Sequence, residues 1–237
     1  MVGILIELAI SWILLWFFSK NNLNILGFKP NKNRLENLWV GLILSGFCCT
    51  IYHLLKTSFI DNNWVLNPKV TLPLLLKSSW WTFKSVIFEE LIFRGAILYL
   101  LIKRLGLKTG CLLSGIAFGI YHLVSYNALG NPVQMVIIFS MTAIFGILLA
   151  YSFGKTQSLY LPIALHFGWN WFNIVVFSSG PLGAQLFVKA NSNQLQGIPS
   201  LALLLFQIIV LPLLSYWYLN YASKKTNKHK KNSKHSL

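Results

Sequence analysis

Two adjacent carboxylates, Glu89 and Glu90, lie inside a long apolar stretch of the sequence, residues 85–100. The whole chain has only five acidic residues, so the placement of these two is unusual. An ionisable group at the centre of a bilayer costs about 2.5 to 3.5 kcal/mol on insertion scales, and such groups usually face a polar cavity and a partner. Arg94, one helical turn after Glu90, is the nearest partner. The acidic pair therefore predicts a functional site inside an apolar helix.

Two histidines in other apolar stretches complete a set of groups that could act together. Phe118 precedes His122 by four residues and Asn170 follows His166 by four, so each pair shares one helix face. Counting along each helix at 1.5 Å per residue gives similar depths, roughly 20 Å for Glu89, 18 Å for His122 and 12 to 16 Å for His166. Three helices can thus present a carboxylate and two imidazoles to one cavity.

This set of residues suits the hydrolysis of a peptide bond. A carboxylate beside an imidazole, here Glu89 and His122, can hold a water molecule and remove its proton as a general base. A second pair of donors, His166 and Asn170, can stabilise the oxyanion that forms when the water attacks a carbonyl group. We therefore take these four residues as candidate catalytic residues.

The composition indicates an integral membrane protein. Hydrophobic residues make up 55% of the 237 residues, charged residues 11%, and the mean hydropathy is +0.61, which leaves too little polar surface for a soluble globule of this size. About 20 residues are needed for each helical span of the hydrocarbon layer. The prediction is an all-α, polytopic bundle with its active site inside the membrane and about seven spans, near residues 3–19, 37–56, 79–102, 110–125, 132–153, 159–178 and 198–220.

The basic residues predict the orientation, because cytoplasmic loops retain positive charge. They are concentrated in alternate loops and at the C-terminus, which places the N-terminus outside and the C-terminus in the cytoplasm. The basic residues assigned to the cytoplasmic side are Lys20, Lys29, Lys32, Arg34, Lys103, Arg104, Lys108, Lys155 and the six lysines from Lys224 to Lys234.

The net charge of +15 is explained by these loops and the tail, so no nucleic-acid partner is expected. Residues 1–222 form a single predicted membrane domain. Residues 223–237 form a predicted disordered, basic cytoplasmic tail, and the lipid bilayer is the expected environment. The three cysteines have no metal-ligand spacing.

Three motifs, in order and on separate apolar stretches, resemble those of the type II CAAX prenyl endopeptidase family and its bacterial relatives, also called the CPBP or Abi family of intramembrane proteases. The family patterns are E-E-x-x-x-R, F-x-x-x-H and H-x-x-x-N/D. The resemblance covers about residues 80–178, and the matching positions are Glu89, Glu90, Arg94, Phe118, His122, His166 and Asn170.

The resemblance implies a role for each of these residues. Glu89 and His122 activate the water, Glu90 and Arg94 support their helix, and His166 with Asn170 binds the oxyanion. The family has also been described as metalloproteases, in which case Glu89, His122 and His166 would be the zinc ligands. Neither histidine lies in an H-E-x-x-H sequence, so we favour a mechanism without a metal or other cofactor.

The expected substrate is a membrane-associated peptide or a lipidated protein, and the expected location is the plasma (inner) membrane of a bacterium. A second function stays open at this point. The same buried polar groups could serve a transporter or a partner-binding scaffold, although transporters commonly carry paired repeats and we find no such repeat in the sequence.

Overall fold

The chain is an all-α bundle, as predicted. The computed structural model describes residues 1–234, with side chains described as far as residue 223. The α-helices in this range are α1 Val2–Ser19, α2 Lys32–Ser58, α3 Leu72–Arg94, α4 Ala96–Ser125, α5 Pro132–Thr156, α6 Tyr160–Trp171 and α7 Gly197–Lys234. The shorter elements are a 3₁₀-helix at Leu23–Leu26, a π-helix at Phe172–Val176, and the strands β1 Trp64–Leu66 and β2 Phe187–Lys189.

Three of the helices begin at side chains that satisfy the free backbone N–H groups of the first turn. The side chain of Asn31 accepts from the backbone N–H of Arg34 at 2.9 Å, and that of Thr71 accepts from Leu74 at 3.3 Å. Asn131 caps α5 in the same way and is followed by Pro132, which has no N–H to satisfy. These caps set where α2, α3 and α5 begin.

The helix α4 consists of two segments that run in opposite directions. Gly106 has a φ of 82°, a left-handed conformation that reverses the chain. Ile102 and Gly110 would be about 12 Å apart in a straight helix. However, a Cβ at Gly110 would lie 3.1 Å from the backbone nitrogen of Ile102. Ser114 also donates to the carbonyl of Phe93 at 2.9 Å, so the second segment packs back along the end of α3.

Four helices within the described residues are long and apolar enough to cross a membrane, namely α1, α2, α5 and residues 197–223 of α7. The other three predicted spans fall on interrupted helices. Residues 79–102 correspond to α3 and the first segment of α4, residues 110–125 to the second segment, and residues 159–178 to α6 and the π-helix.

Small residues allow close packing where α2 meets α6. A Cβ at Gly41 would lie 2.7 Å from the Cβ of Ala164, and one at Gly168 would overlap the hydroxyl of Ser45. Close approach through glycine, alanine and serine is the usual way in which helices associate inside membranes. This packing fixes the position of α6, the helix that carries His166.

The contact between α4 and α5 is equally close. A Cβ at Gly119 would lie 2.9 Å from the Cβ of Ala143, and one at Gly146 would lie 3.0 Å from the Cα of Gly115. The backbone of α5 therefore comes near the centre of the bundle at Gly146, opposite the end of α3.

The loops pair at the two ends of the bundle as the predicted alternation requires. At one end, β1 and β2 form an antiparallel pair that joins the loop after α2 to the loop before α7, with Val65 opposite Val188. At the other end, the backbone N–H of Leu159 donates to the carbonyl of Leu26 at 3.1 Å. Which end faces the cytoplasm stays a prediction. The predicted tail, residues 223–237, is described only in part: α7 continues to Lys234, and the side chains from residue 224 onward and residues 235–237 lie outside what the structure describes.

Candidate active site

A buried ion pair lies at the end of α3. Glu90 and Arg94 are both fully buried, and Nη1 of Arg94 is 3.2 Å from Oε1 of Glu90. Nη2 of Arg94 donates to the carbonyl of Gly146 in α5 at 3.3 Å, and the guanidinium carbon lies 4.1 Å from the centre of the Phe118 ring in α4. A carboxylate, a carbonyl and an aromatic face thus surround this buried cation. The pair connects α3 to both neighbouring helices.

His166 joins α6 to the same ion pair. Its Nδ1 is 2.8 Å from Oε1 of Glu90, and because a carboxylate accepts, Nδ1 is the donor. The imidazole is held edge-to-face between the rings of Phe118 and Phe145, with centroid distances of 5.8 and 5.6 Å. These contacts leave Nε2 pointing towards Glu89.

His122 and Glu89 face each other from α4 and α3. Nε2 of His122 is 3.8 Å from Oε2 of Glu89, and Nδ1 of His122 is 2.8 Å from the carbonyl of Phe118. A carbonyl only accepts, so Nδ1 carries the hydrogen. In the neutral ring, Nε2 therefore presents its lone pair to the carboxylate. Ser85, one turn before Glu89, makes a long contact of 3.5 Å with Oε1.

Oε2 of Glu89 is the centre of the cluster. It is 3.8 Å from Nε2 of His122 and 3.8 Å from Nε2 of His166, too far for a direct hydrogen bond in either case. This buried oxygen has no hydrogen-bond partner among the side chains and backbone that the structure describes. The side chain is 13% exposed. The spacing suits a small polar molecule between the carboxylate and an imidazole.

The structure brings five of the six predicted site residues into this one cluster, namely Glu89, Glu90, Arg94, His122 and His166. Asn170 lies one turn after His166 on α6 and is partly buried. Within residues 1–223, its side chain makes no hydrogen bond. His166 thus bonds to Glu90, while Asn170 presents a free amide on the same face of the helix.

The candidate zinc-ligand atoms of Glu89, His122 and His166 are spaced wider than a tetrahedral zinc ion requires. Ligand atoms about 2.0 to 2.1 Å from a tetrahedral Zn²⁺ are about 3.3 Å from one another. Oε2 of Glu89 is 3.8 Å from each imidazole Nε2. Among the described residues, no group of three histidine, cysteine, aspartate or glutamate side chains is arranged to hold a metal ion.

A third buried histidine, which the sequence motifs do not identify, supports α6. His53 in α2 is fully buried, and its Nε2 is 2.9 Å from Oδ1 of Asn173 in the π-helix. Its ring stacks on Phe177 with a centroid distance of 4.5 Å. A π-helical turn is uncommon and is found mostly near functional sites. The presence of His53 in an apolar stretch was the available signal, but no motif surrounds it.

An all-α membrane bundle with a buried glutamate facing two histidines has the features expected of an intramembrane protease. Residues 71–172 match the family model described as Rce1-like, type II CAAX prenyl endopeptidase Rce1-like. This segment contains all six predicted site residues, and the match agrees with the family resemblance of the three motifs. The matched family is described as one of endopeptidases. No curated protein and no solved structure matched the chain.

Proposed function

We propose that this protein is an intramembrane endopeptidase in which Glu89 and His122 activate the water that hydrolyses the peptide bond. The observation that carries the proposal is the 3.8 Å gap between Oε2 of Glu89 and Nε2 of His122. Both atoms are acceptors when the imidazole is neutral. A water about 2.8 Å from each can donate one hydrogen to each, which leaves an oxygen lone pair free for attack.

The reaction then follows general-base catalysis. The water oxygen forms a bond to the substrate carbonyl carbon while one proton passes to Glu89, and the carbonyl π electrons move to the substrate oxygen. Collapse of this oxyanion breaks the carbon–nitrogen bond, and the proton held by Glu89 passes to the leaving amine. Positioned acid–base groups of this kind typically contribute roughly 10²- to 10⁴-fold to the rate.

His166 and Asn170 are proposed to bind the oxyanion. Protonated His166 keeps its bond from Nδ1 to Glu90 and gains an N–H at Nε2, on the side of Glu89. The free amide of Asn170 lies one turn further along α6. Two donors from one rigid helix are suited to a developing negative charge.

Glu90 and Arg94 are proposed as positioning residues. Glu90 orients the imidazole of His166, and Arg94 balances the charge of Glu90 and ties α3 to Gly146 of α5. Neither residue needs to touch the substrate for this role. The 3.8 Å spacing of the candidate ligand atoms, which is wider than tetrahedral zinc requires, supports a general-base mechanism without a metal.

The proposed substrate is a membrane-associated peptide or a lipidated protein. The family description names prenylated CAAX proteins, and these fit a site that lies among apolar helices. A small membrane-active peptide fits the same site, and we propose the broader class rather than a prenylated cysteine. The proposed location is the plasma (inner) membrane of a bacterium, with the N-terminus outside and the C-terminus in the cytoplasm.

The experiment that tests the function is proteolysis of a peptide library by the purified protein in detergent. Wild type is compared with Glu89→Ala, His122→Ala, His166→Ala and Asn170→Ala, each checked for folding by its thermal unfolding. We expect cleavage by wild type, its loss in the first three variants and a smaller reduction in Asn170→Ala. Folded wild type that cleaves no peptide, lipidated or not, would contradict the proposal and favour transport or partner binding.

A further inference from the structure

A cavity separate from the Glu89 cluster lies between α2, α5 and α7. Its volume is about 670 Å³, within the range of small-molecule sites. It extends to the end of the bundle where β1 pairs with β2, because Lys189 of β2 and Lys56 near the end of α2 are both part of its wall. None of the five clustered site residues contributes to it.

The end of this cavity nearest β1 and β2 carries uncompensated positive charge, and we call the whole cavity the lysine cavity. Lys56 and Lys189 are both partly buried, and their ammonium groups repel each other. Within the described residues, neither lysine forms an ion pair with a carboxylate. The ammonium group of Lys56 lies instead over the face of the Tyr52 ring, 5.7 Å from the ring centre. Two cations held in one recess attract an anion.

The rest of the wall of the lysine cavity combines apolar and polar side chains. Ile137 and Met141 lie one turn apart on α5, and Leu204 faces the cavity from α7. Gln194, Ser200 and Gln207 supply the polar part of this wall. A molecule that satisfies this wall has an anionic head and an apolar chain. A soluble anion would use the lysines but leave the apolar surface unfilled.

We propose that the lysine cavity binds an anionic phospholipid, with the phosphate at Lys56 and Lys189 and an acyl chain along α5 and α7. Basic residues next to apolar helices are the usual recognition elements for such headgroups. The site also adjoins the catalytic cluster. Phe145, one turn beyond Met141, contacts the His166 ring, and Tyr52 lies 6.0 Å from Trp169, measured between ring centres. Lipid bound here therefore stabilises the packing of α5 and α6 around His166.

The test compares lipids that differ in headgroup charge. The purified protein in a neutral detergent is titrated with dioleoylphosphatidylglycerol, dioleoylphosphatidylcholine or inorganic phosphate, and the thermal midpoint and native mass spectra are recorded. We expect saturable binding of the phosphatidylglycerol with an affinity roughly 30-fold higher than that of the phosphatidylcholine, because two lysines contribute. Inorganic phosphate is expected neither to raise the midpoint nor to displace the lipid.

Variants locate the site. Lys56→Gln/Lys189→Gln is expected to lose the preference for phosphatidylglycerol, whereas Lys69→Gln/Lys77→Gln, with the same change in charge at exposed positions, is expected to keep it. Met141→Trp fills the apolar part, retains both lysines and is expected to weaken binding. Equal affinity for the two lipids, equal loss in both double variants, or displacement by inorganic phosphate would overturn the proposal. The outcome does not depend on proteolysis, so it can fail or succeed independently of the proposed function.

Discussion

His122 bonds through Nδ1 to the carbonyl of Phe118 one turn earlier in its own helix, while its Nε2 faces Oε2 of Glu89 at 3.8 Å. The F-x-x-x-H spacing therefore does more than place an aromatic ring beside the imidazole. The backbone at Phe118 sets which nitrogen carries the hydrogen, and this leaves the lone pair on the side of the carboxylate.

Glu89→Gln is expected to lower the rate of peptide hydrolysis by roughly 10²- to 10⁴-fold, because an amide cannot take the proton of the attacking water. The thermal midpoint is expected to stay the same or rise, since Oε2 of Glu89 has no hydrogen-bond partner in the described residues. Initial rates and unfolding are measured on the same preparations. Ser85→Ala, which removes the contact of 3.5 Å, serves as the control and should keep most of the activity. Wild-type rates in Glu89→Gln would exclude the carboxylate as the base.

Arg94→Met is expected to destabilise the protein by about 3 to 5 kcal/mol, because it leaves the buried Glu90 carboxylate without its cation. Arg104 offers a matched control, since it is exposed and its guanidinium lies 5.2 Å from the centre of the Phe18 ring. Arg104→Met is expected to cost less than about 1 kcal/mol. Denaturant unfolding in detergent measures both. Similar losses in the two variants would mean that the ion pair contributes little.

The order of the apolar segments could be predicted from the sequence, but several helix boundaries, including the break at Gly95, could not. Hydropathy predicts a span that begins at residue 79. The helix α3 begins at Leu72, because Thr71 caps it and Pro73 follows. Hydropathy predicts the part of a helix that lies in the hydrocarbon layer, whereas capping residues predict where the helix begins. The reversal at Gly106 agrees with the polar gap between two predicted spans.

The candidate site was predictable as far as local spacing determines it. The distance of four residues between Glu90 and Arg94 places both on one face, and the ion pair forms. The bond between His166 and Glu90 was not predictable, because it depends on how far α6 rotates and slides against α3. That arrangement follows from the close contacts of Gly41 and Gly168 between α2 and α6, which no local pattern specifies.

Glu7→Leu is expected to stabilise the protein by about 1 to 3 kcal/mol. Both carboxylate oxygens of Glu7 in α1 are buried, and neither has a hydrogen-bond partner in the part of the chain described. Folding therefore removes water from the carboxylate without a hydrogen bond to compensate. Glu36→Leu, at an exposed position, is the control and should change stability by less than about 0.5 kcal/mol. The measurement is the unfolding midpoint of each variant, compared with that of the wild type. A loss of stability in Glu7→Leu would indicate an unseen partner for this carboxylate.

Gly95→Ala is expected to lower both stability and activity. Gly95 separates α3 from α4, directly after Arg94, and a Cβ there would overlap the carbonyl oxygen of Leu91. The backbone must shift beside the ion pair, which we expect to cost about 1 to 3 kcal/mol. Gly106→Ala is the control, because its φ of 82° also strains an alanine, yet no atom lies within 4 Å of the added Cβ. Activity per folded molecule should fall only in Gly95→Ala.

Removal of metal ions is expected to leave proteolysis unchanged. If Glu89, His122 and His166 held a catalytic zinc, their ligand atoms would need to move closer by about half an ångström, from 3.8 Å to the spacing that tetrahedral zinc requires. In the arrangement described, the same space suits a water between a carboxylate and an imidazole. The measurement is the cleavage rate after dialysis against 1,10-phenanthroline, with metal content determined on the same sample. A zinc protease treated in parallel verifies that the chelator works. A rate that disappears on dialysis and returns with one equivalent of zinc would make the three residues ligands rather than a base and its partners.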